Sequence, residues 1–165
     1  MSEKIKTILS RTAVKTLEEL VFLFAFEADE TDNGQAEPAV AARVSFSGVF
    51  SGTLVMKLSA KILPDLTTNM LGIDEQEETT LDQQYDALQE TLNVVCGHLL
   101  PEIAGTREVF SIHPPAIVAE DGALKKSIRP NPTCKVTLAL EEGSCEFFLF
   151  IDGRIPLNAG GTEEE

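Results

Sequence analysis

Thr80-Leu-Asp-Gln-Gln-Tyr-Asp-Ala-Leu-Gln-Glu-Thr-Leu-Asn-Val-Val-Cys-Gly97 carries two patterns in one stretch. Tyr85, Leu88, Leu92, Val95 and Cys96, continued by Leu99 and Ile103, recur at three and four residues. That spacing gathers apolar side chains on one stripe of a helix. Asp86, Glu90, Asn93 and Gly97 follow at spacings of four, three and four, so they form a narrow row on roughly the opposite side. One face is built for a core and the other shows an ordered polar row to solvent. Thr80 and Gln83 fit a capping box, which starts the helix at about residue 81. Pro101 cannot donate to the Gly97 carbonyl, so a kink or early end is expected there, with Gly105 closing the element at the latest. A Glu-x-x-Asn pair alone describes any solvated helix face, so its meaning depends on the rest of the chain.

Upstream, Ala60–Leu71 reads as a helix stopped by Gly72. Before it, Val44, Phe46, Leu54, Met56 and Leu58 alternate with Ser and Thr about a reversal flanked by Gly48 and Gly52, which predicts a hairpin. Asp29–Pro38 is polar and reads as a loop. Ile5, Leu9, Thr12, Ala13, Leu17, Leu20, Val21 and Phe24 predict a first helix over about residues 3–27, with Leu20–Phe26 as its buried end. Downstream, His113-Pro114-Pro115 excludes helix and predicts an extended corner. Ala116–Ala119 follows as a strand, then a loop over Asp121–Pro132 bearing Lys125, Lys126 and Arg129. Thr133–Leu140 and Cys145–Ile151 are strands joined by a second turn. The order is helix, two strands, two helices, three strands. It predicts an α+β fold with helices packed on a largely antiparallel sheet. Residues 1–157 are expected to form a single domain, and the acidic 158–165 a disordered tail.

Composition narrows the function. The chain has 165 residues, 43% of them hydrophobic, enough for one domain with a real core. Its 27 acids against 13 Lys and Arg give a formal charge of −14, which opposes nucleic acid and anionic lipid as partners. No apolar run approaches the ~20 residues that span a bilayer, and Met1–Lys6 lacks the layout of a signal peptide, which points to the cytoplasm. Cys96, Cys134 and Cys145 are odd in number and lack paired spacing, so buried free thiols are expected. His98 and His113 have no second ligand at metal spacing, and no metal site is expected.

With the element order, this polar row resembles the CheC/CheX/FliY phosphatase family of bacterial chemotaxis. The family signature is Asp or Ser, three residues, Glu, two residues, Asn, and a glycine four further on, met here by Asp86, Glu90, Asn93 and Gly97. The glycine-bearing hairpin Phe46–Gly52 and the Ile112–Pro115 corner support the likeness, which covers about residues 3–152. Only one copy of the motif is present, since Glu19-Leu-Val-Phe22 has no asparagine, so the chain is similar to CheX-like members. Where relatives commonly have glycine before the asparagine, this chain has Leu92, a member of the apolar stripe.

The resemblance implies a CheC-like fold, a homodimer, and a phosphatase whose substrate is the aspartyl phosphate of a CheY-like receiver domain. An acyl phosphate is already activated, and the receiver holds its own Mg²⁺ and lysine, so no cofactor of the chain's own is implied. What the reaction lacks is a water held in line with the phosphorus–oxygen bond. A carboxamide donates to and accepts from one water without adding charge, the role implied for Asn93. Glu90 would engage the receiver's lysine. Asp86 would be a peripheral contact, and Gly97 would either admit the partner's backbone or serve helix packing. Two other classes remain open: a receiver-binding module without catalysis, and a structural subunit of the flagellar switch.

Overall fold

The computed structural model describes residues 2–28, 38–74, 76–120, 130–153 and 155. Its centre is the helix begun by the predicted capping box. The Gln83 amide donates to the Thr80 hydroxyl at 3.1 Å, and the Thr80 amide donates to the Gln83 side chain at 2.9 Å. This helix spans Leu81–Ala104 and is the third along the chain (α3), after α1 (Ser2–Val21) and α2 (Leu63–Leu71). Pro101 does not end it early: the helix runs on to Gly105, whose N–H reaches the Pro101 carbonyl at 2.8 Å. Burial of Leu99, Leu100, Ile103 and Ala104 outweighs the single missing hydrogen bond.

The strands form one antiparallel sheet of seven: β1 (Phe26–Glu27), β2 (Ala39–Ser47), β3 (Ser51–Ser59), β4 (Ser111–Ile112), β5 (Ala116–Glu120), β6 (Cys134–Leu140) and β7 (Gly143–Asp152). The lateral order is β1-β6-β7-β3-β2-β4, with β5 beside β4 on the same edge of β2. The predicted hairpin is β2–β3, in register from Ala39↔Ser59 to Phe46↔Gly52. Gly52 is required by close approach, since a Cβ there would sit 2.1 Å from the Phe150 carbonyl oxygen. Two short strands, β1 and β4, extend the predicted set, because two-residue pairings leave no periodicity to read.

All three helices lie on one face. There Val40, Ala42, Val44 and Phe46 of β2, Leu54, Met56 and Leu58 of β3, and Phe147 and Leu149 of β7 meet Leu9, Leu17, Leu88, Leu92, Val95 and Leu99 in one core. Among the described residues the outer face carries a small cluster of Ala39, Ala41, Val55 and Phe150, with Val118 and Phe148 packed against it. A turn of 3₁₀ helix at Ala60–Ile62 leads into α2, which closes at Gly72 with φ +70°.

The first helix is shorter than the pattern predicts. It stops at Val21, and Phe22 takes φ +56°, an uncommon conformation for a bulky residue. The Val21 carbonyl is satisfied by the Asn69 side-chain amide at 2.8 Å, so further helical turns are not needed to pair it. The chain then doubles back beside α1, where the Ser10 hydroxyl donates to the Glu27 carboxylate and β1 joins the edge of β6. The reversal leaves Phe22, Phe24 and Phe26 64%, 63% and 69% exposed, against the expectation of a buried helix end. The expected tail and residues 121–129 of the expected loop lie outside the described residues.

Leu92 is fully buried in the core. Leu92→Ala should lower unfolding free energy by about 2–5 kcal/mol, read as a reduced urea midpoint at unchanged slope.

Candidate functional site

With its apolar stripe seated, α3 turns the predicted row outward. Asp86 and Glu90 are exposed, and Asn93 and Gly97 are half-buried. Leu92, next to Asn93, points the other way into the core. Its departure from the family pattern therefore stays off the polar face. The neighbouring polar side chains are engaged: Thr91 bonds the Ala87 carbonyl at 2.8 Å, Gln89 bonds the Pro115 carbonyl at 3.1 Å, and His98 Nδ1 lies 3.2 Å from the Thr16 hydroxyl. Among the described residues, Asp86, Glu90 and Asn93 have no such partner. The two groups implied for chemistry stand one turn apart on one face with their hydrogen-bonding capacity unspent.

Two structures border the row. On one side α1 packs antiparallel to α3, with Thr16 beside His98 and the Arg11 guanidinium 3.7 Å from Glu102. Between the helices runs a groove of about 480 Å³ whose lining includes Lys15, Thr16, Glu19, Gly97 and His98. A Cβ built at Gly97 meets nothing within 4 Å, so this glycine opens the groove and does not serve helix packing. On the other side stands the His113–Pro115 corner, held by Gln89. Neither border is visible in local sequence. Thr16 and His98 are 82 positions apart, and Gln89 and Pro115 are 26 apart, so only folding brings them together.

The geometry meets its relatives here. The family model described as chemotaxis phosphatase CheX matches residues 40–138, which contain the whole row. The chain belongs to the CheX family. No curated protein matches it. Its fold is similar to that of the CheX protein of Vibrio vulnificus, at 15% identity and TM-score 0.72, covering 92% of this chain and 99% of the other. A chemotaxis protein CheX from Desulfovibrio desulfuricans gives 12% identity and TM-score 0.70, with 90% and 99% coverage. CheX from Borrelia burgdorferi, in a CheX–CheY–BeF₃–Mg²⁺ complex, gives 17% identity and TM-score 0.66, with 89% and 97% coverage. The fold common to CheX structures is thus the helix-on-sheet layering described above.

The cysteines take no part in the row. Cys96, Cys134 and Cys145 are buried and free. Burial alone pushes the Cys96 thiol up to about 12, and burial, partly offset by Lys6, pushes Cys134 up to about 11. Burial raises Cys145 as well, helped by the Glu146 carboxylate. Thiols that stay protonated are poor nucleophiles. Among the described residues no three His, Cys, Asp or Glu side chains gather as a metal set, and no helix is long and apolar enough to cross a membrane.

The raised thiols set a direction for stability. An unfolded thiol loses its proton near pH ~8.5, whereas the folded chain keeps those of Cys96 and Cys134 to about 12 and about 11. Stability should therefore fall as pH rises above about 9, because only the unfolded state has then released its protons. Urea midpoints between pH 8 and pH 10 would show the slope. Native protein at pH 8 should resist iodoacetamide at all three thiols and become labelled only once denatured.

Proposed function

We propose that this chain dephosphorylates the aspartyl phosphate of a CheY-like receiver domain in bacterial chemotaxis or a related two-component pathway. The observation that carries the reading is the pair Glu90 and Asn93, displayed on one open helix face with no side-chain partner among the described residues. Membership of the CheX family supports it, as does the complex in which a CheX protein of this fold is seen with CheY.

In this reading the receiver brings its own Mg²⁺ and lysine, and this chain supplies position. Glu90 pairs with the lysine and seats α3 over the phosphoryl group. The Asn93 amide holds a water opposite the aspartyl oxygen. Attack forms the new phosphorus–oxygen bond as the aspartyl–phosphorus bond breaks. The carboxylate is regenerated, and both protons of the water leave with the phosphate as dihydrogen phosphate. Half-burial suits Asn93, because a side chain limited by its neighbours loses less freedom when it orders that water. A hundredfold acceleration needs only ~2.7 kcal/mol. Asp86 makes a peripheral contact, and the open groove at Gly97 receives backbone or side chains of the partner.

The working unit is proposed to be a homodimer that pairs copies along the β1 edge. That edge presents Phe26 and ends the sheet, and the exposed Phe22 and Phe24 immediately precede it. Sedimentation at micromolar concentration should give twice the chain mass, and a monomer mass would refute the dimer.

Phosphate release from an acyl-phosphorylated receiver tests the chemistry. Asn93→Ala should lower kcat about a hundredfold while leaving receiver affinity within about twofold and stability within ~0.5 kcal/mol, because its side chain lies opposite the core stripe. Glu90→Ala should instead mainly weaken binding. An Asn93→Ala protein as fast as its parent would overturn the role given to Asn93, and a parent that binds the phosphorylated receiver without speeding phosphate release would be a binding module without catalysis.

A further inference from the structure

β4 and β5 are two parts of one run along the outer edge of β2. Pairing stops at Phe46↔Ile112 and resumes at Arg43↔Ala116. Across the gap Val44 and Ser45 face three residues, His113, Pro114 and Pro115. That is one residue too many, so the edge bulges. The prolines have no N–H to give to the ladder. The His113 amide makes the backbone bond there, to the Ser45 carbonyl at 2.9 Å.

What ties the far end of the bulge comes from the motif helix. Gln89 Nε2 donates to the Pro115 carbonyl at 3.1 Å. Gln89 precedes Glu90 directly, and lies three residues after Asp86 and four before Asn93. On the helix surface it therefore adjoins the row on the side away from α1. His113 and Pro114 are exposed, and the His113 side chain has no partner among the described residues. A bulge held only by the sheet could shift relative to α3. This one is clasped to the turn that carries Glu90.

We infer that Gln89 is a positioning residue: through the Pro115 carbonyl it fixes the His113–Pro114 bulge as a rigid wall beside Asp86 and Asn93, against which the phosphorylated receiver seats. The inference rests on the function proposed above and adds a specificity determinant to it. A proline-bounded wall loses little backbone freedom on binding, so its contacts are gained at low entropic cost. It discriminates by shape: a receiver whose surface beside the phosphoryl group clashes with Pro114 is rejected before Glu90 reaches its lysine.

Gln89→Leu keeps the bulk and removes the donor, and Gln89→Arg keeps an N–H within reach of the same carbonyl. The experiment measures steady-state kinetics with an acyl-phosphorylated receiver, together with amide hydrogen exchange of the region around His113. Losing one such bond should raise KM about three- to tenfold, leave kcat within about twofold, and speed exchange of the His113 amide in Gln89→Leu. Gln89→Arg should recover at least half of the KM change. A purely structural bond would lower the urea midpoint yet leave KM unmoved, which overturns the inference, as does a fall in kcat at constant KM. Kinetics unchanged by Gln89→Leu in an active parent overturn this inference alone. A parent that neither binds nor turns over the receiver overturns the functional reading and this inference with it.

Discussion

The seating of α3 on β2 and β3 is the constraint from which the rest of the molecule follows. Leu88, Leu92, Val95 and Leu99 are fully buried, each contributing on the order of 2 kcal/mol relative to exposure. Rotating the helix by one residue, roughly 100°, would push several of them into water. No single surface interaction competes with that cost. The azimuth of Asp86, Glu90 and Asn93 is thus decided by groups they never touch. The polar row faces solvent because the opposite stripe cannot.

A site of this kind needs little of its own. The Arg11–Glu102 ion pair beside it is exposed and contributes at most about 1 kcal/mol. The Lys57–Glu146–Lys135 group lies on the outer sheet face, away from α3. What distinguishes the row is accounting of hydrogen bonds. Thr91, Gln89 and His98 are each engaged, while Glu90 and Asn93 are held in place by the backbone of a rigid helix and have no side-chain partner among the described residues. Two unspent polar groups on a fixed element are suited to completing an arrangement that another molecule largely supplies.

Much of this was legible along the chain. The capping box at Thr80 and Gln83, the stripe from Tyr85 to Ile103, the β2–β3 hairpin and the stop at Gly72 are local signals, and each appears where the spacing put it. The errors have physical causes. Leu20–Phe26 has helical periodicity and strong hydrophobicity, but the helix end is decided by Asn69, 48 positions away, which caps the Val21 carbonyl. Pro101 signals a kink or an early end, and the helix does not end there, because burial of the following turn exceeds the about 3 kcal/mol that an interior proline costs. Gly97 allowed two readings, and the open space beside it removes close helix packing as the reason for a glycine there.

By itself the sequence determined the class of fold, the two-faced helix and the identity of the row, since each depends on periodicities of two or 3.6 residues that hydrophobic burial enforces locally. The tertiary structure alone decided what borders that row: the α1 groove with Thr16 and His98, the bulge clasped by Gln89, and the exposed aromatic edge at Phe22–Phe26. These depend on contacts between residues far apart in the chain. Such contacts form only after loop-closure entropy has been overcome by burial of the whole core, and no local pattern encodes them.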